Sequence, residues 1–395
     1  MKTVYLRGRS GGGPIHSIYQ ELIRFPPEGY RFVTDNFETM RQQQLEFNFF
    51  RTIENTSFIR ELWHEFKTLQ YMGIKKVQSL RTESKFNADL VYASQQLLSA
   101  NFPWIVDFEY ANALVNYGDI RLSRRFVKKA LSSKYCRKIL PWSDWAKRTL
   151  FRSLNCDLFK EKIETLHFAV SPKSFSAKKD GDKVRLLFVG STNLFNLYNF
   201  EWKGGFETVE AFFELSKKYD NLELIVRSWV PSEIQEKCAN KQNIRILSSI
   251  LPERELAQLY ASSDIFVFPS YLNLGMAILE AMSYKLPVVA VNLYDIPEAV
   301  QDMKTGMLLT PPPNVPFYIW NGAPNHYDRK LLQKIRQARP WMVNQIVEKV
   351  SLLIENSSLR RDIGRNARHL VEKGEFSVKR RNERLRRIFD EAIAL

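Results

Sequence analysis

Cysteine is nearly absent from this chain: Cys136, Cys156 and Cys238 are the three in 395 residues. Their odd number and wide spacing exclude a disulfide framework and a thiolate metal site, and they fit a reducing compartment. Histidine is also sparse. His16, His64, His167, His326 and His369 stand at no metal-ligand spacing. Long apolar runs are missing too, since the longest uncharged stretch, Ile265 to Leu279, is short for a bilayer span and contains Pro269 and Gly275. The opening MKTVYLRGRS meets glycine and charge too early for a signal peptide. A cytoplasmic chain is expected, at most peripheral on a membrane face.

Acidic charge is the next shortage. Fifty-eight Lys and Arg face 43 Asp and Glu, for a net charge of +15. The excess is concentrated from Arg121 to Arg152, where eleven basic residues accompany one acid, Asp144. Phe126, Trp142, Trp145 and Phe151 are interleaved there and give the stretch the amphipathic character of a segment that meets an anionic membrane surface. A solvated face is the plain alternative, and a nucleic-acid partner is the least favoured of the three.

Apolar runs alternate with amphipathic helical stretches along most of the chain. Strands are expected at Thr3 to Leu6, Tyr30 to Val33, Ala88 to Tyr92, Trp104 to Phe108, Lys138 to Leu140 and Ile163 to Ala169. Helices are expected at Ile15 to Arg24, Ser57 to Tyr71, Leu122 to Leu131 and Ser143 to Leu154. Turn-forming residues then collect from Ser171 to Lys183, including Asp180-Gly181-Asp182, which reads as a turn. A second alternation begins with VRLLFVG (Val184 to Gly190) and continues through LELIV, NIRIL, DIFVF and PVVAV, near-continuous apolar strands of the kind buried on both faces. Three charged helical stretches close the chain, at Arg329 to Ile354, Leu359 to Glu372 and Ser377 to Ala394. The pattern predicts an α/β protein with two doubly wound, Rossmann-like domains facing across a cleft, over residues 1–172 and 173–375, and a last helix over residues 376–395.

Glycine is scarce as well, yet three of 16 stand together at Gly11 to Gly13, between an apolar run and Pro14. Strand, glycine loop and helix start are a suitable cradle for an anion, because a helix N-terminus offers free N–H groups and the positive end of its dipole. A plain turn is the alternative. The same order recurs later. A strand ending at Phe268 is followed by a loop and a helix from Gly275, whose free N–H groups suit a diphosphate, with Glu280 placed to accept hydrogen bonds from a diol alongside.

These residues resemble the retaining nucleotide-sugar glycosyltransferases of the GT-B fold, glycosyltransferase family 4 in particular. The resemblance runs through Gly11 to Gly13, FVG at Phe188 to Gly190, KGG at Lys203 to Gly205, the stretch NIRILSSILPERELAQLYASSDIFVFPS, then LEAMSYKLPVVAV and IPEAV…TGMLL. It implies that Lys203 binds the diphosphate and Glu280 the ribose, with Gly190 and Arg227 nearby and the backbone of Asn273, Leu274 and Gly275 forming a phosphate cradle. Gly12 and Gly13 would meet the same phosphates from the first domain, and Glu109 or Tyr110 would face the acceptor. The last helix would cross back to that domain. The implied reaction moves a sugar from a nucleotide-diphosphate donor to a hydroxyl on a glycan or lipid-linked acceptor with retained configuration and no metal. Leu272 stands where the family carries a second Glu, and Ser191 where it commonly carries Arg. These departures favour the main alternative, a catalytically silent GT-B-like subunit that binds nucleotide sugar.

Overall fold

A computed structural model describes residues 1–7, 16–34, 78–79, 87–173, 182–191, 199–325 and 329–394. The glycines Gly12 and Gly13 and the helix expected over Ser57 to Tyr71 lie outside those residues. Two compact units are present: Met1–Ala169, Tyr318–Ala323 and Val378–Leu395 form unit 1, and Val170–Phe317 with Pro324–Ser377 form unit 2. No helix among the described residues is long and apolar enough to cross a membrane.

Unit 1 is built on strands β1 (Lys2–Arg7), β2 (Tyr30–Val33), β4 (Leu90–Ser94), β6 (Trp104–Phe108) and β7 (Cys136–Pro141), in the spatial order β2-β1-β4-β6-β7. Every pairing is parallel. A two-residue parallel pair, β3 (Gln78–Ser79) with β5 (Leu98–Ser99), stands apart. β4 and β6 are buried throughout, as strands covered on both faces must be. The helices start where the sequence supplies caps: the side chains of His16, Asp119 and Ser143 accept from the backbone N–H of Ile18, Arg121 and Ala146.

The buried Asp107 organises the carboxyl edge of this sheet. Its carboxylate accepts from Tyr19 Oη (2.9 Å), Tyr92 Oη (3.1 Å), Trp142 Nε1 (2.9 Å) and the Gln95 N–H (3.1 Å). Burial still pushes its pKa up to about 6 despite those donors. Two expectations are corrected in this unit. Trp142 and Trp145 are buried, and their indole N–H groups donate to Asp107 and to the Gly322 carbonyl, so neither is available to a membrane. Ile163 to Ala169 is no strand: it touches β7 through Glu164 N–H to Ile139 O and Leu166 N–H to Pro141 O, with a single bridge at Ile163.

Unit 2 holds β8 (Val184–Val189), β9 (Leu222–Arg227), β10 (Ile244–Leu247), β11 (Ile265–Phe268), β12 (Val288–Val291) and β13 (Gly306–Leu309). Their order is β10-β9-β8-β11-β12-β13, all parallel. Counted from β8 this is 3-2-1-4-5-6, the doubly wound arrangement whose ligand crevice opens beyond the carboxyl ends of the first and fourth strands. The charged stretch after the sheet is two helices rather than one, Arg329–Gln337 and Arg339–Glu355, because Pro340 occupies the first turn of the second.

Candidate functional site

The switch point of unit 2 lies between β8 and β11, and the residues singled out in this half of the chain gather at its edge. Gly190 follows β8 and donates its N–H to Arg227 O at the end of β9 (2.8 Å). A Cβ there would stand 2.3 Å from Ser228 Oγ, so glycine is required by the packing of neighbouring loops.

Lys203 is set by the two glycines after it. Gly204 takes φ +74°, and a Cβ on it would lie 2.4 Å from the Pro269 carbonyl oxygen. A Cβ on Gly205 would strike the Phe200 ring. The Tyr271 N–H donates to Trp202 O at 2.9 Å, tying the residue before Lys203 to the loop after β11. The Lys203 ammonium consequently lies 5.9 Å from the Phe268 ring centroid at the end of β11. No carboxylate stands within ion-pair distance of it among the described residues, and burial with the nearby Arg227 charge pushes its pKa down to about 8. Arg227 is similar: burial lowers its pKa, and among the described residues its Nε is buried without a hydrogen-bond partner and no carboxylate reaches ion-pair distance. Two desolvated cations side by side, with no carboxylate at ion-pair distance among the described residues, constitute a site shaped for an anion.

The loop from Pro269 to Gly275 closes the other side. Ser270 Oγ accepts from the Leu272 N–H (3.1 Å), Tyr271 stacks on Phe317, and Tyr271 Oη donates to Glu207 Oε1 (3.3 Å). The Leu274 N–H donates to Asp295 Oδ1 at 2.7 Å, so of the cradle expected over Asn273, Leu274 and Gly275 the Leu274 N–H is already taken. Gly275 caps the helix Met276–Ser283, and open space lies where its Cβ would be. No described hydrogen bond takes up the N–H of Gly275 or Met276. Glu280, on the same helix, accepts from Tyr260 Oη at 3.2 Å and interacts electrostatically with Arg227. Tyr260 is buried and stacks on Tyr284 with ring centroids 5.4 Å apart.

Residues 183–317 match the family model described as Glycosyl transferases group 1. Over 70 residues the chain is 46% identical to the sulfoquinovosyl transferase of Arabidopsis thaliana, a match that spans 17% of this chain and 14% of that one. A glycosyltransferase from Rickettsia africae superposes with a TM-score of 0.61 at 15% identity, over 99% of this chain and 98% of that one. HepE of Anabaena in complex with UDP does so with a TM-score of 0.61 at 13% identity, over 99% and 100%. The fold is that of the GT-B glycosyltransferases, two parallel-sheet Rossmann-like units.

Within unit 2 the structure brings Gly190, Lys203, Arg227, Glu280 and the Asn273–Gly275 turn to one sheet edge. Glu109 belongs to unit 1, where it follows β6 and accepts from the Tyr117 hydroxyl. Sequence reasoning missed Tyr260, which orients Glu280, and Asp295, which pins the turn. It also missed Glu207, whose buried carboxylate holds Tyr271. Glu207 carried a signal, being an acid two residues past KGG on the otherwise apolar face of a helix.

Proposed function

We propose that the chain is a retaining glycosyltransferase that moves a sugar from a nucleoside-diphosphate donor to a hydroxyl acceptor. The observation that carries this reading is the pair Lys203 and Arg227, desolvated and without a carboxylate at ion-pair distance among the described residues, on the sheet edge where the helix of Gly275 and Met276 begins. A diphosphate seated there places its leaving oxygen against fixed positive charge. Negative charge on that oxygen grows as the glycosidic bond breaks, so the stabilisation is larger in the transition state than in the ground state. Because two side chains supply this charge, the reaction needs no metal, and added chelator leaves the rate unchanged.

Glu280, held by Tyr260, is placed to accept two hydrogen bonds from the ribose diol. HepE was solved with UDP, which makes a uridine diphosphate donor the first to try. Glu109 is assigned to the acceptor side, with a glycan or lipid-linked hydroxyl as the acceptor. The departing phosphate oxygen takes the acceptor's proton, so no separate base is required.

Lys203→Ala and Glu280→Ala each lower transfer at least tenfold, on the scale of a charge-assisted hydrogen bond lost from a desolvated site. A panel of nucleotide sugars, read first by thermal shift and then by product formation, tests the proposal. Unchanged turnover in both variants removes the site assignment. Leu272, an apolar side chain where a sugar-binding carboxylate would stand, supports the second reading, a binding subunit without activity. Tight donor binding with neither transfer nor donor hydrolysis decides for that reading.

A further inference from the structure

Unit 1 holds a hollow that has no part in the site above. Arg124 and Lys128, four residues apart and so on one face of the helix Ile120–Ser132, line one side of it. The end of the helix Asp144–Ser153 and the turn after it, residues 151–157, line the other. Its volume of about 550 Å³ falls within the range of small-molecule pockets, roughly 300–1,000 Å³. Ser153, Leu154 and Cys156 are the buried part of the lining and give the hollow a floor continuous with the core.

Arg124, Lys128 and Arg152 are its cations and Asp157 is its one acid. Among the described residues none of the three cations has a carboxylate at ion-pair distance, whereas their neighbour Arg121 is paired with Asp119. One short segment fixes both guanidinium groups. Arg124 lies over the Trp320 ring, 5.5 Å from its centroid, and Arg152 packs on Gly322, where a Cβ would stand 2.4 Å from Nη1. That segment, Tyr318–Ala323, belongs to unit 1 and is fastened there by the buried Asn321, whose Nδ2 donates to Asn112 Oδ1 and Ser153 Oγ, both at 2.8 Å. The Trp145 indole N–H adds a bond to Gly322 O at 3.1 Å. Like charges that would otherwise spread apart are therefore set around the hollow before a ligand arrives, which lowers the ordering cost of binding.

We propose that this hollow is a second ligand site of the chain and takes a soluble sugar monophosphate, with the phosphate among Arg124, Lys128 and Arg152 and the sugar ring between Phe151 and Asp157. Three cations against one acid leave an excess of positive charge that a phosphate monoester, at about −1.5 to −2 near pH 7, cancels better than a carboxylate can. The guanidinium forks match phosphate oxygens in pairs, and the lysine adds a point charge. The rest of the lining is what a bare anion would not use. Phe151, 44% exposed, presents an apolar face to the C–H groups of a pyranose. The Asp157 carboxylate receives no hydrogen bond among the described residues and is an acceptor for ring hydroxyls. The inference does not depend on the glycosyl-transfer reading.

Titration calorimetry of the full chain at fixed ionic strength tests it, with glucose 6-phosphate as the probe and glucose and inorganic phosphate as its two halves. Glucose 6-phosphate is expected to bind with a Kd of about 1 mM or below, inorganic phosphate roughly tenfold more weakly, and glucose without measurable heat. Arg124→Gln with Lys128→Gln lowers affinity for glucose 6-phosphate by roughly tenfold or more, because two charged contacts are lost together. Phe151→Ser weakens glucose 6-phosphate and leaves inorganic phosphate as it was. These side chains line the hollow rather than the core, and an unchanged melting temperature establishes that each variant is folded. Absence of binding to the unaltered chain overturns the proposal. Undiminished affinity in the Arg124/Lys128 variant does so too, since the probe then sits elsewhere, the Lys203 site included. Equal affinity for inorganic phosphate and glucose 6-phosphate, or equal loss of both in the Phe151 variant, overturns the assignment to a sugar phosphate.

Discussion

At Lys203 the charge is useful because it is costly. An ammonium on the surface keeps its proton until high pH, but burial beside Arg227 brings this one down to about 8. A depressed lysine loses its proton as pH rises through that value, so affinity of the free protein for a diphosphate falls across pH 7 to 9. Bound diphosphate raises the value again. Titration calorimetry with a nucleoside diphosphate checks the slope, and Lys203→Arg, which stays charged, flattens it. Gly204 shows how narrowly that ammonium is placed. Its φ of +74° and the Pro269 carbonyl beside it leave no room for a methyl group. Gly204→Ala therefore costs about 2 kcal/mol or more in stability, read as a lowered melting temperature. Because the clash falls on the β11 loop, diphosphate affinity drops in the same variant. Loss of stability with full affinity would separate Gly204 from the site.

Helices Gly205–Ser216 and Arg339–Glu355 are joined by a buried ionic cluster whose other end is the loop over the site. Arg336 binds Glu201 through both oxygens at 2.7 and 2.9 Å; Arg339 lies 3.4 Å from Glu201, 3.5 Å from Glu207 and 3.4 Å from Glu210, over the Phe206 ring. Glu207 in turn receives the Tyr271 hydroxyl. Burial pushes Glu207 up to about 7, so between about 4.5 and 7 the folded chain holds a proton that the unfolded chain releases. Stability from this group falls as pH rises through that window, by on the order of 3 kcal/mol, and is level above it. Glu207→Gln removes the dependence. Denaturant midpoints at pH 5 and 7.5 for both proteins measure it, and parallel profiles would refute the assignment. Such links are hard to read from a sequence, because Glu207, Tyr271 and Arg339 meet only after the sheet has formed. The sheet is easier. β11 and β12 are continuous apolar runs and β8 is one interrupted only by Arg185, and the sequence shows them within a residue. Ile163 to Ala169 sets Ile163, Leu166, Phe168 and Ala169 among polar residues and bonds β7 on one side only, and β13 is a four-residue strand opened by a glycine. Lys203 and Glu280 are legible through the glycines and apolar runs around them. Tyr260 and Asp295, which hold Glu280 and the Leu274 N–H, reach across from other elements and carry no local pattern.

On the scale of the whole molecule, the chain leaves unit 1 after Ala169, rejoins it over Tyr318–Ala323 and ends in it with its last helix, Val378–Ala394. That helix buries Leu385, Ile388, Phe389 and Ala392. The Phe389 ring lies 5.0 Å from Tyr30, 6.0 Å from Phe32 and 6.3 Å from Tyr92, and Asp390 accepts from Tyr30 Oη at 2.7 Å and Lys2 Nζ at 2.9 Å. Arg381 donates to the carbonyl of Phe25 at the end of the first helix. Three large buried apolar side chains at roughly 2 kcal/mol each make about 6 kcal/mol, comparable with the whole stability of a domain, about 5–15 kcal/mol. A chain ending at Ser377 therefore loses unit 1 and keeps unit 2, although the residues removed are the farthest in sequence from β4 and β6. Hydrogen exchange followed by peptide mapping reads the two outcomes apart. In the shortened chain, amides of β1, β4, β6 and β7 exchange freely, while those of β8, β11 and β12 keep the protection they have in the full chain. Retained protection across β4 and β6 would mean that the last helix covers unit 1 without holding it together. Exchange throughout both units would mean that they fold as one.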